Sequence, residues 1–400
     1  MDRLHLRAAR VLVEGAGRLN SLPEATVVVE GGRIVGVEPG RVGGQGVDLP
    51  DGAVLAPGLV DLQVNGGGGV LYNDAPTAEA ALAIARAHRG FGVTTVLPTL
   101  ITDVPARMRE AAASIAAAVA EPCGGVGGVH LEGPFLSPLR PGVHDPSLIR
   151  GMEAQDRALV AGLAARVPVV LTLAPECVAD EDLRALAAAG VVLCAGHSAA
   201  SFERTVEALG LGVGGFTHWP NAMAPLAGRA PGVMGAALAS AQAWCGVIAD
   251  GVHVHPATLR LLLASRAGTP GKVVLVSDSM SPAGTAMDRF VLGGRLVLRR
   301  GGRLETEDGV LAGADLDLGQ AVRNAVSMLG VDGAEALRMA STHPARAAGL
   351  GDRGRVAPGL RADLVLMDEG LRAVGTWVAG RWRAAADGDG RARAAGVGTA

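Results

Sequence analysis

The feature that most constrains this chain is a pattern that recurs eight times across residues 56–354: a short apolar run, a polar residue at its end, then an Ala-rich amphipathic stretch. Short apolar runs bounded by turn residues read as strands buried on both faces, and apolar residues spaced three and four apart read as helices packed along one side. Strands alternating with such helices define the α/β class, and eight units are what a closed TIM-type (β/α)8 barrel needs. The predicted strands span 59–64 with tip Asn65, 95–97 with tip Thr99, 128–131 with tip Glu132, and 169–173 ending near Glu176. The series continues with 191–195 and His197, 215–217 and His218, 246–249 and Asp250, and 273–277 and Asp278. Helices are predicted over 78–88, 106–120, 180–189 and 256–265. An open doubly wound sheet uses the same alternation, but it supplies no reason for every strand to end on a polar residue. In a barrel those tips form the C-terminal rim, where chemistry is done.

The two ends of the chain read differently. From Leu4 to about Leu55 short strands alternate with glycine turns, and Gly31-Gly32 between two β-rich runs is a hairpin signal. Residues 362–368 and 374–382 show the same β-rich pattern. Both termini are therefore expected to build one small β-sandwich domain, from residues 1–55 and 355–386, around the barrel at 56–354. The tail 387–400 is Gly, Ala, Asp and Arg in the main, a composition that predicts disorder.

Composition narrows the function. The chain is 49% hydrophobic but only 2% aromatic, so the core must be built from Ala, Val and Leu. Net charge is −3 with no basic run, which leaves no basis for nucleic-acid binding. No apolar run reaches the ~18 residues of a membrane span, and no export signal is read at the start, so a cytoplasmic protein is expected. The four cysteines are scattered without a Cys-x-x-Cys pair, which argues for reduced thiols rather than disulfides or a cysteine metal cluster.

Three tips carry the chemistry. Glu132, His197 and His218 lie on strands three, five and six, and only barrel closure can bring them together. One carboxylate and two imidazoles make a three-ligand site with room for a water, suited to one divalent ion: Zn²⁺ first, with Fe, Co or Mn also compatible. Any one of the three alone reads more simply as a satisfied polar strand end. Asp278, at the eighth tip, is placed to take and return a proton, although it could instead cap the following turn. His130 shares a face with Glu132 and is read as structural. His88 and His343 fall in helical patterns, and His253-Val-His255 follows strand seven rather than strand one.

Read as an ordered set, the motifs resemble the N-acetylglucosamine-6-phosphate deacetylases, a family within the amidohydrolase superfamily. They are residues 56–67, His130-Leu-Glu-Gly-Pro-Phe, Ala195-Gly-His-Ser, Thr217-His-Trp-Pro-Asn-Ala-Met, 228–232, 248–253, the Asp278 segment, 311–313 and 342–346. The resemblance implies metal ligation by Glu132, His197 and His218, and Asp278 as the catalytic acid and base. It implies substrate contacts from Val143, His144, Asn221, Ala222, Arg229, Asp250, His253 and the turn Leu311, Ala312, Gly313. Arg229 and His253 would serve a phosphate, one of them supplied by the partner in a homodimer. The substrate implied is an amino-sugar phosphate. The chain departs from the superfamily where strand one carries Gln63 and Asn65 in place of a His-x-His pair, and these two would border the metal's water. Its only lysine, Lys272, precedes strand eight, so no bridging carboxylated lysine is available and a single metal is expected. Two alternatives stay open: an amidohydrolase acting on an N-acyl amino acid or a cyclic amide, and an inactive barrel used for binding.

Overall fold

The computed structural model describes residues 3–15, 17–269 and 271–385, so the tail predicted disordered over 387–400 lies outside them. Eight parallel strands follow one another around the centre: Leu59–Val64, Val93–Ile101, Val129–Glu132, Val169–Leu173, Val192–Ala195, Val213–Phe216, Trp244–Val247 and Val273–Leu275. The connections carry the helices Ala78–His88, Pro105–Ala120, Ala154–Ala164, Asp180–Ala188, Phe202–Gly210, Gly232–Ala239 and Pro256–Ser265. This is the TIM-type barrel expected from the alternation. Every residue of Leu59–Val64 and of Val169–Leu173 is buried, as strands covered by helices outside and by one another inside must be.

The second strand is longer than expected because it continues through Pro98 to Ile101, with Pro98 paired opposite Val64. The sixth and seventh strands each begin two residues before their predicted starts.

The ring closes between its first and eighth strands without a regular ladder. Val64 forms a single bridge to Ser279. Asp278 N–H donates to the Gln63 carbonyl at 3.0 Å, and Asn65 N–H donates to the Ser279 carbonyl at 2.9 Å. Asp61, fully buried, ties the same seam through Oδ1, which accepts from the N–H of Ser277 at 3.2 Å and of Gln63 at 3.3 Å. Its Oδ2 has no hydrogen-bond partner among the described residues, and burial pushes the carboxyl up to about 7.

After the eighth strand the chain builds a four-stranded antiparallel sheet: Arg289–Leu292, Arg295–Arg300, Arg303–Thr306 and Leu311–Ala314. The segment Leu311, Ala312, Gly313, expected as a turn, is therefore a strand. It pairs with Arg303–Thr306, and Ala314 N–H donates to the Asp278 carbonyl at 2.8 Å. Its Ala and Gly residues carry no β-branched signal, so nothing local marks it as a strand.

The two ends of the chain share one eight-stranded mixed sheet, in which Val54–Pro57 from the first part pairs with Leu364–Met367 from the second. Its first two strands, Leu4–Gly15 and Arg18–Glu30, are longer than the short strands expected. Leu6, Ile34, Leu55 and Trp377 form a core separate from the barrel's. Gly58 joins sheet to barrel: a Cβ there would lie 2.2 Å from Thr94 Oγ1, so no side chain fits at the joint.

The seam makes a pH prediction. An aspartate whose pKa rises from about 4 in the unfolded chain favours folding while protonated. That contribution is complete below about pH 4 and is lost as pH rises through the folded value of about 7. Asp61→Asn keeps the accepting oxygen without the charge. Its stability relative to the natural protein should therefore improve between about pH 5 and pH 8, by at most a few kcal/mol. Denaturant titrations giving the same difference at both ends of the range would refute this.

Candidate active site

Glu132 ends the third strand, while His197 and His218 lie two residues beyond the fifth and sixth, and Asp278 three beyond the eighth. His197, His218 and Asp278 have φ of 47°, 32° and 51°, a left-handed backbone uncommon outside glycine. Each chain turns sharply as it leaves its strand, which carries the side chain in over the barrel mouth. Such conformations cost about 1–3 kcal/mol each and persist only where the surroundings over-determine them.

Glu132 Oε1 lies 2.9 Å from His218 Nε2 and 3.3 Å from His197 Nε2, and the two nitrogens are 3.1 Å apart. Donor atoms held about 2.0–2.1 Å from one tetrahedral ion stand about 3.4 Å from one another. The three atoms therefore already have close to the spacing of one face of a metal tetrahedron. His197 Nδ1–H donates to the Arg140 carbonyl at 3.0 Å, which leaves Nε2 as a lone pair facing the site. Burial resists ionisation of Glu132, but its contacts with His197 and His218 overcome that and hold it well below the usual carboxylate range.

A looser set, Glu132 with His144 and His197, brings one donor atom of each within 4.8 Å of the others. His144 suits another task. Its Nδ1 lies 2.8 Å from Thr102 Oγ1 and accepts from Thr102 N–H at 3.4 Å, so the neutral ring carries its proton on Nε2. Burial and the neighbouring His197 push its pKa down to about 3, and the ring stays neutral.

Asp278 Oδ1 accepts from Asn65 Nδ2 at 2.7 Å and from Gln63 Nε2 at 3.1 Å, and the same Gln63 nitrogen donates to Glu132 Oε2 at 3.2 Å. Burial first, then the charge of Glu132, pushes Asp278 up to about 6. A carboxyl tuned toward neutrality is suited to exchanging a proton.

A cavity of about 520 Å³ opens over these groups, and Asn65, Val143, His144, Asn221, Ala222, His253, Leu311 and Gly313 all line it. Four residues expected at the site do not line the cavity. Ala312 is fully buried and faces away from the cavity, while Gln63 acts from behind the two carboxylates. Asp250 sits behind His253: its Oδ2 is 2.6 Å from His253 Nδ1, and its Oδ1 accepts the N–H groups of Val252 and His253. Burial resists the ionisation of Asp250, and His253 reverses that to hold it below its ordinary value. Arg229 is exposed and outside the cavity.

His130 lies below the ligands, its Nε2 2.7 Å from Thr172 Oγ1 and its Nδ1 3.3 Å from Thr99 Oγ1. His255 is exposed, does not line the cavity, and accepts Ala257 N–H at the start of its helix. The cavity also includes Ile101, Arg140, Met280 and Val310, which sequence reasoning missed. Ile101 was hidden because Pro98 reads as a strand stop, and Arg140 because the loop Pro138-Leu-Arg-Pro-Gly142 has no periodicity to direct a side chain.

The amidohydrolase family model matches residues 54–385. The chain belongs to the amidohydrolase family. Among similar members, a Shewanella N-acetylgalactosamine-6-phosphate deacetylase is 38% identical over 93% of this chain and 94% of its own. The Homo sapiens N-acetylglucosamine-6-phosphate deacetylase is 35% identical over 89% of this chain and 91% of its own. The solved N-acetylglucosamine-6-phosphate deacetylase of Pasteurella multocida superposes with a TM-score of 0.89 at 30% identity, covering 96% of this chain and 100% of that one. The Mycobacterium smegmatis enzyme, solved in complex with N-acetyl-D-glucosamine-6-phosphate, gives 0.87 at 30% identity, covering 96% and 99%. The amidohydrolase family is metal-dependent, and Glu132, His144 and His197 form a group that could hold a metal ion.

Gly142 tests that geometry. Its φ is +59°, and a Cβ there would stand 3.1 Å from His197 Cε1. Gly142→Ala should displace the ring or strain the loop that accepts its Nδ1–H, weakening metal affinity about 10–100-fold, as loss of such support does elsewhere. Competition against a chelating dye reads this directly, and an unchanged affinity would show that the loop does not position His197.

Proposed function

We propose that this protein is a metal-dependent hydrolase that converts N-acetyl-D-glucosamine 6-phosphate to D-glucosamine 6-phosphate and acetate, within amino-sugar metabolism. The observation that carries this is the convergence of Glu132, His197 and His218 beside Asp278 at one end of the barrel. The substrate comes from the relatives described above, which are deacetylases of N-acetylated amino-sugar 6-phosphates. The Shewanella relative favours a second reading, the galactosamine epimer, as the preferred sugar.

Glu132, His197 and His218 would hold one divalent ion, with Zn²⁺ the first choice and Fe, Co or Mn also suited. When bound, the ion lowers the pKa of a water and polarises the amide carbonyl. Asp278 takes the proton of the attacking water. Both amide donors bond its Oδ1, which leaves Oδ2 for that proton. Asp278 then delivers the proton to the amide nitrogen as the C–N bond breaks and acetate leaves. His144 donates its Nε2–H to the carbonyl oxygen as negative charge gathers there. Val143, Asn221, Ala222 and the strand Leu311–Ala314 border the sugar. His253, oriented by Asp250, serves the phosphate. Arg229 stands outside this chain's cavity, so we assign it to the site of a second copy across a C₂ homodimer. Its unpaired cysteines suit the cytoplasm.

The direct test is acetate release from the N-acetylated glucosamine and galactosamine 6-phosphates by the metal-loaded protein; release from neither sinks the proposal. Asp278→Asn should keep fold and metal while turnover falls about 10²–10⁴-fold. A variant turning over near the natural rate would place the base elsewhere. Gln63 and Asn65 spend their donors on Asp278 and Glu132. Elemental analysis should accordingly find one equivalent of metal at full activity, and a requirement for two would contradict this.

A further inference from the structure

We propose that Arg140 binds the substrate's phosphate from the same chain that supplies the metal ligands, an assignment that rests on the deacetylase reading above. Among the described residues, Arg140 is the only arginine or lysine that lines the cavity. The two carboxylates there, Glu132 and Asp278, are already engaged with His197 and His218 and with Asn65 and Gln63. Among the described residues, Arg140 Nε is buried without a hydrogen-bond partner and no carboxylate pairs with its guanidinium. A buried, unsatisfied donor on a permanent cation is unfavourable until an anion completes it.

The backbone beneath this side chain is pinned to the metal centre. Ser137 N–H donates to the His197 carbonyl at 2.9 Å, Arg140 N–H donates to the Ser137 carbonyl at 2.9 Å, and the Arg140 carbonyl accepts His197 Nδ1–H. The loop therefore fixes where the guanidinium starts while leaving its charge uncommitted. Leu139 beside it is 76% exposed, which places this stretch at the cavity mouth. On the reading above the reacting amide belongs at the other end, against His197 Nε2, where His144 would meet the oxyanion. The anion left for Arg140 is the one at the outer end of the substrate. A guanidinium fork matches two phosphate oxygens, and Arg140 would complement His253.

The experiment uses the metal-loaded protein with Arg140→Ala and Arg140→Lys. It measures KM and kcat on N-acetylglucosamine 6-phosphate and on N-acetylglucosamine, and inhibition by inorganic phosphate and by acetate. Arg140→Ala should raise KM for the phosphorylated sugar about 10–100-fold with a far smaller change in kcat. The loss should be at least about tenfold greater than on the unphosphorylated sugar, inhibition by inorganic phosphate should weaken in step, and Arg140→Lys should recover part of both. An equal loss on both sugars, or no loss, overturns the proposal. So does weakened inhibition by acetate alone, which would move the arginine to the acetyl end. If the natural protein releases no acetate from any sugar, the deacetylase reading fails by itself. Calorimetry with inorganic phosphate then still decides Arg140: binding lost in the alanine variant supports it, and equal binding overturns it.

Discussion

The structure depends on how its barrel closes. Seven neighbouring strand pairs are held by ordinary ladders, but the first and eighth meet through a few bonds around Gln63–Asn65 and Asp278–Ser279. Closure sets the circumference, and with it the distance across the mouth between Glu132 on the third strand and His197 and His218 beyond the fifth and sixth. Asp61 reinforces the seam at the cost of a buried, half-satisfied carboxyl. The protein thus accepts a buried, poorly satisfied carboxyl in its core where the register of two strands decides whether Asp278 faces the ligands.

Local conformation and electrostatics then act together at the rim. The left-handed turns at His197, His218 and Asp278 are unfavourable by themselves, yet they aim three side chains inward from strands whose own direction points out of the barrel. Glu132 is held ionised while Asp278, sharing the Gln63 amide with it, is pushed toward neutrality. Two carboxylates so close in space separate into a permanent anion and a proton carrier because one is bonded to two imidazoles, while burial and the charge of the first push the other up.

Much of this was legible in the chain. The strand Val169–Leu173 and the helices Ala78–His88 and Pro256–Ser265 have the bounds their apolar periodicity predicts, and polar tips marked Glu132, His197, His218 and Asp278. What escaped lacks a local signature. Leu311–Ala314 is a strand because of the partners it meets, and its Ala and Gly residues would serve a turn equally well. Pro98 sits inside a strand that its type argues against. Asp250 stands at a strand tip like the others, but its neighbour His253 turns it into a support. Arg140 lies in a loop, where no periodicity exists to say which way a side chain points.

The strand Leu311–Ala314 both walls the cavity and bonds the backbone of Asp278 through Ala314, while the opposite loop is fastened at two points to His197. Neither wall can swing outward without tilting a group that does chemistry. A site built this way has no independent door. Substrate must enter through the standing opening, and any ligand bulky enough to wedge the walls apart would disarm the machinery as it arrived.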